Sequence, residues 1–135
     1  MADRPELGGF AHVGIRVHEL KTARTFYEWI GFEFVLGPVG PEPVAIMEHA
    51  SGAVINLVLN AAPESQTNVL MDVPVKHPGY THMALYVDDV EEMARHLELG
   101  GYPITEGPVT FPDGTRAIFV RDPDGNVVEF DAAQA

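Results

Sequence analysis

His12-Val13-Gly14-Ile15-Arg16-Val17 returns seventy residues later as His82-Met83-Ala84-Leu85-Tyr86-Val87. Gly31-Phe32 becomes Gly101-Tyr102 at the same offset, and the offset then grows by three. Gly52-Ala53-Val54-Ile55-Asn56-Leu57 matches Gly125-Asn126-Val127-Val128-Glu129-Phe130. Two like units pack about a pseudo-twofold axis, where equivalent positions can meet. Those positions hold His12 and His82 on one pair of strands, and Asn56 and Glu129 on another. Two imidazoles and a carboxylate arriving from separate segments outline a metal site.

Both copies read as β-α-β-β-β. In the first, residues 10 to 17 form a strand, and Leu20, Ala23, Phe26, Tyr27 and Ile30 follow helical spacing up to Gly31. Strands follow at Phe32 to Leu36, Val44 to Glu48 and Val54 to Leu59, separated by Pro38, Gly40, Pro41, Pro43 and Gly52. In the second, a strand at Thr81 to Val87 precedes an Asp88–Glu91 capping pair and an apolar stripe of Val90, Met93, Ala94 and Leu97 ending at Gly100-Gly101. Strands at Pro103 to Thr105, Arg116 to Arg121 and Val127 to Asp131 complete it, the last two joined by the turn Asp122-Pro123-Asp124-Gly125-Asn126. The expectation is a single α+β domain spanning 1–135, built from modules 10–60 and 80–131 with the Pro-rich linker 61–79. Half-chains of that size are marginal alone, so the modules should share a core.

The bulk properties narrow the class. Apolar residues make up 46% of the chain, which suits a globule. A net charge of −12 repels phosphate backbones and anionic lipid, so neither nucleic acid nor membrane is an expected partner. Cysteine is absent, which removes disulfides and thiolate ligands. The opening residues lack the apolar stretch of an export signal, so the expected location is the cytoplasm.

The pattern from Phe10 to Phe130 resembles the vicinal oxygen chelate superfamily, which includes glyoxalase I, extradiol dioxygenases, fosfomycin-resistance enzymes and bleomycin-binding proteins. The landmarks are His12 on the first strand, Phe26-Tyr27 before Gly31, Thr81-His82, and Asp122-Pro123-Asp124-Gly125 running into Glu129. The resemblance implies two tandem βαβββ modules forming a cupped mixed sheet with helices outside. It also implies one divalent metal ion, of identity Fe, Ni, Mn, Co or Zn, held near His12, Asn56, His82 and Glu129. A homodimer is implied too, with modules exchanged between chains in some relatives.

Asn56 departs from glyoxalase I, which has a carboxylate at that place. An amide cannot act as a base near neutral pH and is a weaker ligand. The expected metal ligands are therefore His12, His82 and Glu129, with Glu129 also catalytic and Asn56 binding substrate. His18, His49, His77 and His96 lack repeat partners and read as loop or exposed residues.

The expected function is a metal-dependent glyoxalase I-like lyase or isomerase. It would act on a small substrate with vicinal oxygens through a metal-stabilised enediolate-like anion. The alternatives are an Fe(II) extradiol-type ring-cleavage dioxygenase, which two His and one Glu would suit, and a non-catalytic drug- or metabolite-binding protein. Against the dioxygenase, Phe119 stands where its signature tyrosine would be.

Overall fold

The computed structural model describes residues 3–65 and 67–133. Its elements run β1 (Val13–Arg16), α1 (Leu20–Trp29), β2 (Glu33–Val39), β3 (Val44–Glu48), β4 (Val54–Val58), β5 (His82–Tyr86), α2 (Val90–Leu99), β6 (Ile104–Thr110), β7 (Arg116–Arg121) and β8 (Val127–Ala132). They form two four-stranded mixed sheets, ordered β1-β4-β3-β2 and β5-β8-β7-β6. This is the α+β, glyoxalase-like arrangement of paired βαβββ units.

The repeat survives at the level of register. Gly14 pairs with Asn56 as Ala84 pairs with Glu129. Leu36 pairs with Ile46 as Glu106 pairs with Phe119. One face of each sheet is apolar because alternate residues point the same way. Ile15, Ala45, Met47, Ile55 and Leu57 are buried from the first sheet, and Ile118, Val120, Val128 and Phe130 from the second. Both sets join Phe26 and Tyr27 of α1 and Val90 and Leu97 of α2 in one core.

The modules are clamped together at the turn Asp122–Asn126. The Tyr27 hydroxyl donates to buried Asp122 Oδ2 (2.8 Å), and Asn126 Nδ2 donates to the Arg16 carbonyl (3.1 Å). The backbone N–H of His18 donates to Asp124 Oδ1 (2.9 Å), and its ring also contacts that oxygen. Between the helices, Trp29 stacks on His96 with centroids 4.5 Å apart. Trp29 Nε1 donates to the His96 carbonyl (2.7 Å). Gly100 makes room for that indole, since a Cβ there would come within 2.4 Å of Nε1. His18 lies in a loop and His96 is exposed, as expected, and both take part in the joint.

Three local expectations need correction. The first strand begins at Val13, not at residue 10, and its ladder with β4 opens at Val13↔Ile55. His12 lies just outside the strand, and Phe10 is 98% exposed. The helix cap is Asp89, not Asp88. Asp89 is extended (φ −146, ψ 112), and its carboxylate accepts from the N–H groups of Glu91 and Glu92. Finally, β6 runs to Thr110 instead of stopping at Thr105. Gly107-Pro108 forms a bulge across which the ladder resumes at Val109↔Ala117.

Candidate functional site

The faces turned away from the core carry the polar residues of the repeat. On the second sheet, His82, Ala84 and Tyr86 point outward from β5, with Glu129 and Asp131 beside them on β8. Glu106, Phe119, Glu129 and Ala84 form one cross-strand row. The matching row of the first sheet is Leu36, Ile46, Asn56 and Gly14. The frame is the same but the chemistry is different, with carboxylates on one face and aliphatic groups and one amide on the other.

His82 and Glu129 come together. His82 Nε2 lies 3.0 Å from Glu129 Oε1, and Glu129 is only 7% exposed. Thr81 Oγ1 lies 2.8 Å from His82 Nδ1, which occupies the other ring nitrogen and leaves Nε2 facing the carboxylate. The Phe119 ring packs against the imidazole at 6.0 Å between centroids.

Burial is the main force pushing Glu129 up to about 7, helped by the adjoining Asp131 carboxyl and the charge of Glu106. Asp131 Oδ1 is buried, and the Asp131 carboxylate accepts from the Glu129 carboxyl when that group is protonated. Beside His82 a recess of about 300 Å³ is lined by Met71, Thr105, Glu106, Phe119 and Arg121 among others. Arg121 grips Asp72 through both terminal nitrogens (2.7 and 2.9 Å), so the linker forms one wall of the recess.

His12 and Asn56 lie on the first module. His12 is exposed, and Asn56 is half-buried at the register position that matches Glu129. Within one chain His12 does not complete a three-residue group with the His82–Glu129 pair. Among the described residues no group of three His, Cys, Asp or Glu is arranged to hold a metal ion. β1 and β5 are edge strands of separate sheets and do not pair with each other.

Asp131 and Glu106 were missed by the sequence reading. Asp131 sits two residues beyond Glu129 on a strand, so period-two alternation was enough to place it on the same face. Glu106 lay hidden behind the Gly107-Pro108 bulge.

The chain belongs to the Glyoxalase/Bleomycin resistance protein/Dioxygenase superfamily, whose profile matches residues 9–130. It is similar in fold to the glyoxalase family protein from Bacillus cereus, at 21% identity over 100% of both chains and a TM-score of 0.78. A lactoylglutathione lyase from Agrobacterium tumefaciens shares 23% identity over 95% of this chain and 96% of its own, at 0.68. The fosfomycin resistance protein FosX from Listeria monocytogenes, solved as a variant with Mn(II) and dihydroxypropylphosphonic acid, shares 17% identity, covering 96% of this chain and 93% of its own, at 0.70. At these identities the likeness is one of fold. Among the described residues no helix is long and apolar enough to cross a membrane.

Proposed function

We infer that this protein is a divalent-metal-dependent enzyme acting on a small substrate with neighbouring oxygens, in the manner of glyoxalase-like lyases and isomerases. The observation that carries the reading is the 3.0 Å approach of His82 Nε2 to the buried Glu129 carboxylate. An imidazole nitrogen and a carboxylate oxygen side by side, with the far ring nitrogen already engaged, fit two adjacent ligands of Fe, Ni, Mn, Co or Zn. We assign the third ligand, His12, to a second copy of the chain, so the site would be shared across a homodimer. Asn56 of that second copy would contact substrate.

When bound, the ion would supply Lewis-acid charge and a template for two oxygens. The residues would do the rest. In the metal-free protein burial holds the Glu129 carboxyl up to about 7, and His82 lies beside its carboxylate. Asn56, unable to accept a proton, would only orient the substrate through its amide. That places the acid–base work on Glu129, where glyoxalase I also has a carboxylate in the first module.

The test is anaerobic equilibration with Mn(II), Fe(II), Ni(II) or Zn(II), followed by metal analysis and turnover assays. Substrates would be the hemithioacetal of methylglyoxal and catechols with O₂. Retention of close to one ion per site, lost in Glu129→Gln, is the expected result. Retention of none would end the proposal. Ring cleavage with O₂ uptake would move the protein to the dioxygenase branch, and tight ligand binding indifferent to chelator would make it a binding protein.

A further inference from the structure

His18, in the loop between β1 and α1, stands where three segments meet. Its imidazole reaches the Asp122–Asn126 turn of the second module on one side and the linker on the other. Nδ1 contacts Asp124 Oδ1, which also accepts the His18 backbone N–H, and Nε2 lies 3.0 Å from the Ala62 carbonyl oxygen. A carboxylate and a carbonyl are both acceptors. Each ring nitrogen therefore needs a proton of its own, and only the imidazolium carries two. The Asp124 side chain is 9% exposed, so water and salt screen the pair weakly.

Asp124 is the charged side chain that faces the ring from the second module. Asp122 on the same turn is spent on Tyr27 and Asn126, and the linker meets the ring with backbone at Ala62 and Ser65. On the ring's own segment, Glu19 accepts from Thr22, while Arg16 donates to Asn60 and Glu42. The hydrogen bond to Asp124 is the main force raising His18 above its ordinary 6.5. Partial desolvation opposes it, and the charge of Asp124 and the Ala62 carbonyl add to the rise.

We propose that His18 is a pH-sensitive latch, whose imidazolium ties the start of the linker to the joint between the modules and whose deprotonation releases it. A neutral ring keeps one N–H. That proton stays toward Asp124, because a bond to a carboxylate is stronger than one to a carbonyl and a bare lone pair would be repelled there. The Ala62 bond is then the one lost. Below 6.5 the ring is charged in the folded and unfolded chains alike, and the latch contributes in full. Its contribution is lost as pH rises through the higher folded value. Beyond Ala62 the linker is pinned again where Asn68 Nδ2 donates to the Gly125 carbonyl (3.0 Å), and it then supplies Met71 and Asp72 beside the recess at His82. The latch thus sits at the root of that wall. Any effect on ligand entry rests on the reading of the recess as part of the binding site, but the latch itself does not.

The full-length chain without metal is enough for the test, so its outcome is separate from the metal reading. NMR of the ring nitrogens from about pH 5 to 9 should show His18 doubly protonated past the ordinary histidine range. The carbonyl-carbon shift of Ala62 should step at the same pH. The Ser65 N–H donates to that carbonyl (3.0 Å), and its exchange, with the intrinsic pH dependence divided out, should quicken about three- to tenfold across the step. Leu57 in the core should not respond. Asp124→Asn keeps an acceptor but removes the charge, and should bring both the ring titration and the Ala62 step to lower pH. His18→Gln should abolish the step at Ala62 and Ser65. A ring that titrates as an ordinary histidine, or a raised titration that leaves Ala62 and Ser65 unmoved, would overturn the latch. Should either variant fail to fold, the spectra of the unaltered chain decide alone.

Discussion

Glu129 bears two opposing demands, since a ligand must be ionised and a buried carboxyl resists ionisation. Burial first, then Asp131 and Glu106, carries it from 4.5 to about 7 in the metal-free protein. Between those limits the folded chain keeps a proton that the unfolded chain has released. Stability of the metal-free protein therefore falls as pH rises through that window and levels off above it. Glu129→Gln removes the charge but keeps the shape. It should be the more stable protein at pH 8, by on the order of 2 kcal/mol, and indistinguishable near pH 4. Urea unfolding at the two pH values checks this, and equal stability at both would mean that Glu129 titrates as in the free chain. The repeat made Glu129 legible in the sequence because Asn56 stands in its place in the other copy. The same device concealed Asp131, whose counterpart is Val58, so a search for matched polar residues passed over it.

At the scale of elements, the order and type of every strand and helix could be read from apolar periodicity and turn residues. The reading failed where local chemistry and tertiary context disagree. Gly37-Pro38 and Gly107-Pro108 look like strand breakers, yet both sit inside strands. Each glycine has positive φ (119 and 94) and is pressed against the neighbouring strand. A Cβ would approach the Val44 carbonyl oxygen to 2.5 Å at Gly37, and the Ala117 oxygen to 2.7 Å at Gly107. Glycine here lets the bulge close without parting the ladder. Gly107→Ala should therefore cost both the left-handed backbone penalty and a backbone displacement, together about 3 kcal/mol or more. Gly101→Ala meets only the first cost, about 1 kcal/mol, because at φ 89 nothing lies within 4 Å of its added Cβ. Melting curves of the two variants separate the terms, and an equal loss in both would remove the close approach as the reason for glycine at 107.

At the scale of the whole molecule, the duplicated sequence foretold two equivalent faces but not which way they would look. Orientation is set by long-range packing of Tyr27 on Asp122, His18 on Asp124 and Trp29 on His96, contacts that no periodicity announces. That packing spends the apolar faces on one shared core and leaves both polar faces outward, with β1 and β5 as sheet edges and Leu7 and Phe10 uncovered beside the first. An uncovered edge and face invite a second copy. If two chains pair so that the first module of each meets the second module of the other, a dimer holds two sites, each with His12 from one chain and His82 and Glu129 from its partner. The arithmetic of mixed dimers then gives a sharp test. His12→Ala and Glu129→Gln should each bind metal poorly when pure. Unfolded together in equal amounts and refolded, half the dimers are mixed, and each mixed dimer has one intact and one doubly damaged site. About a quarter of all sites should recover. Metal content and sedimentation of the refolded mixture give the answer. Recovery near zero from a mixture that is dimeric would mean that His12, His82 and Glu129 never meet across chains.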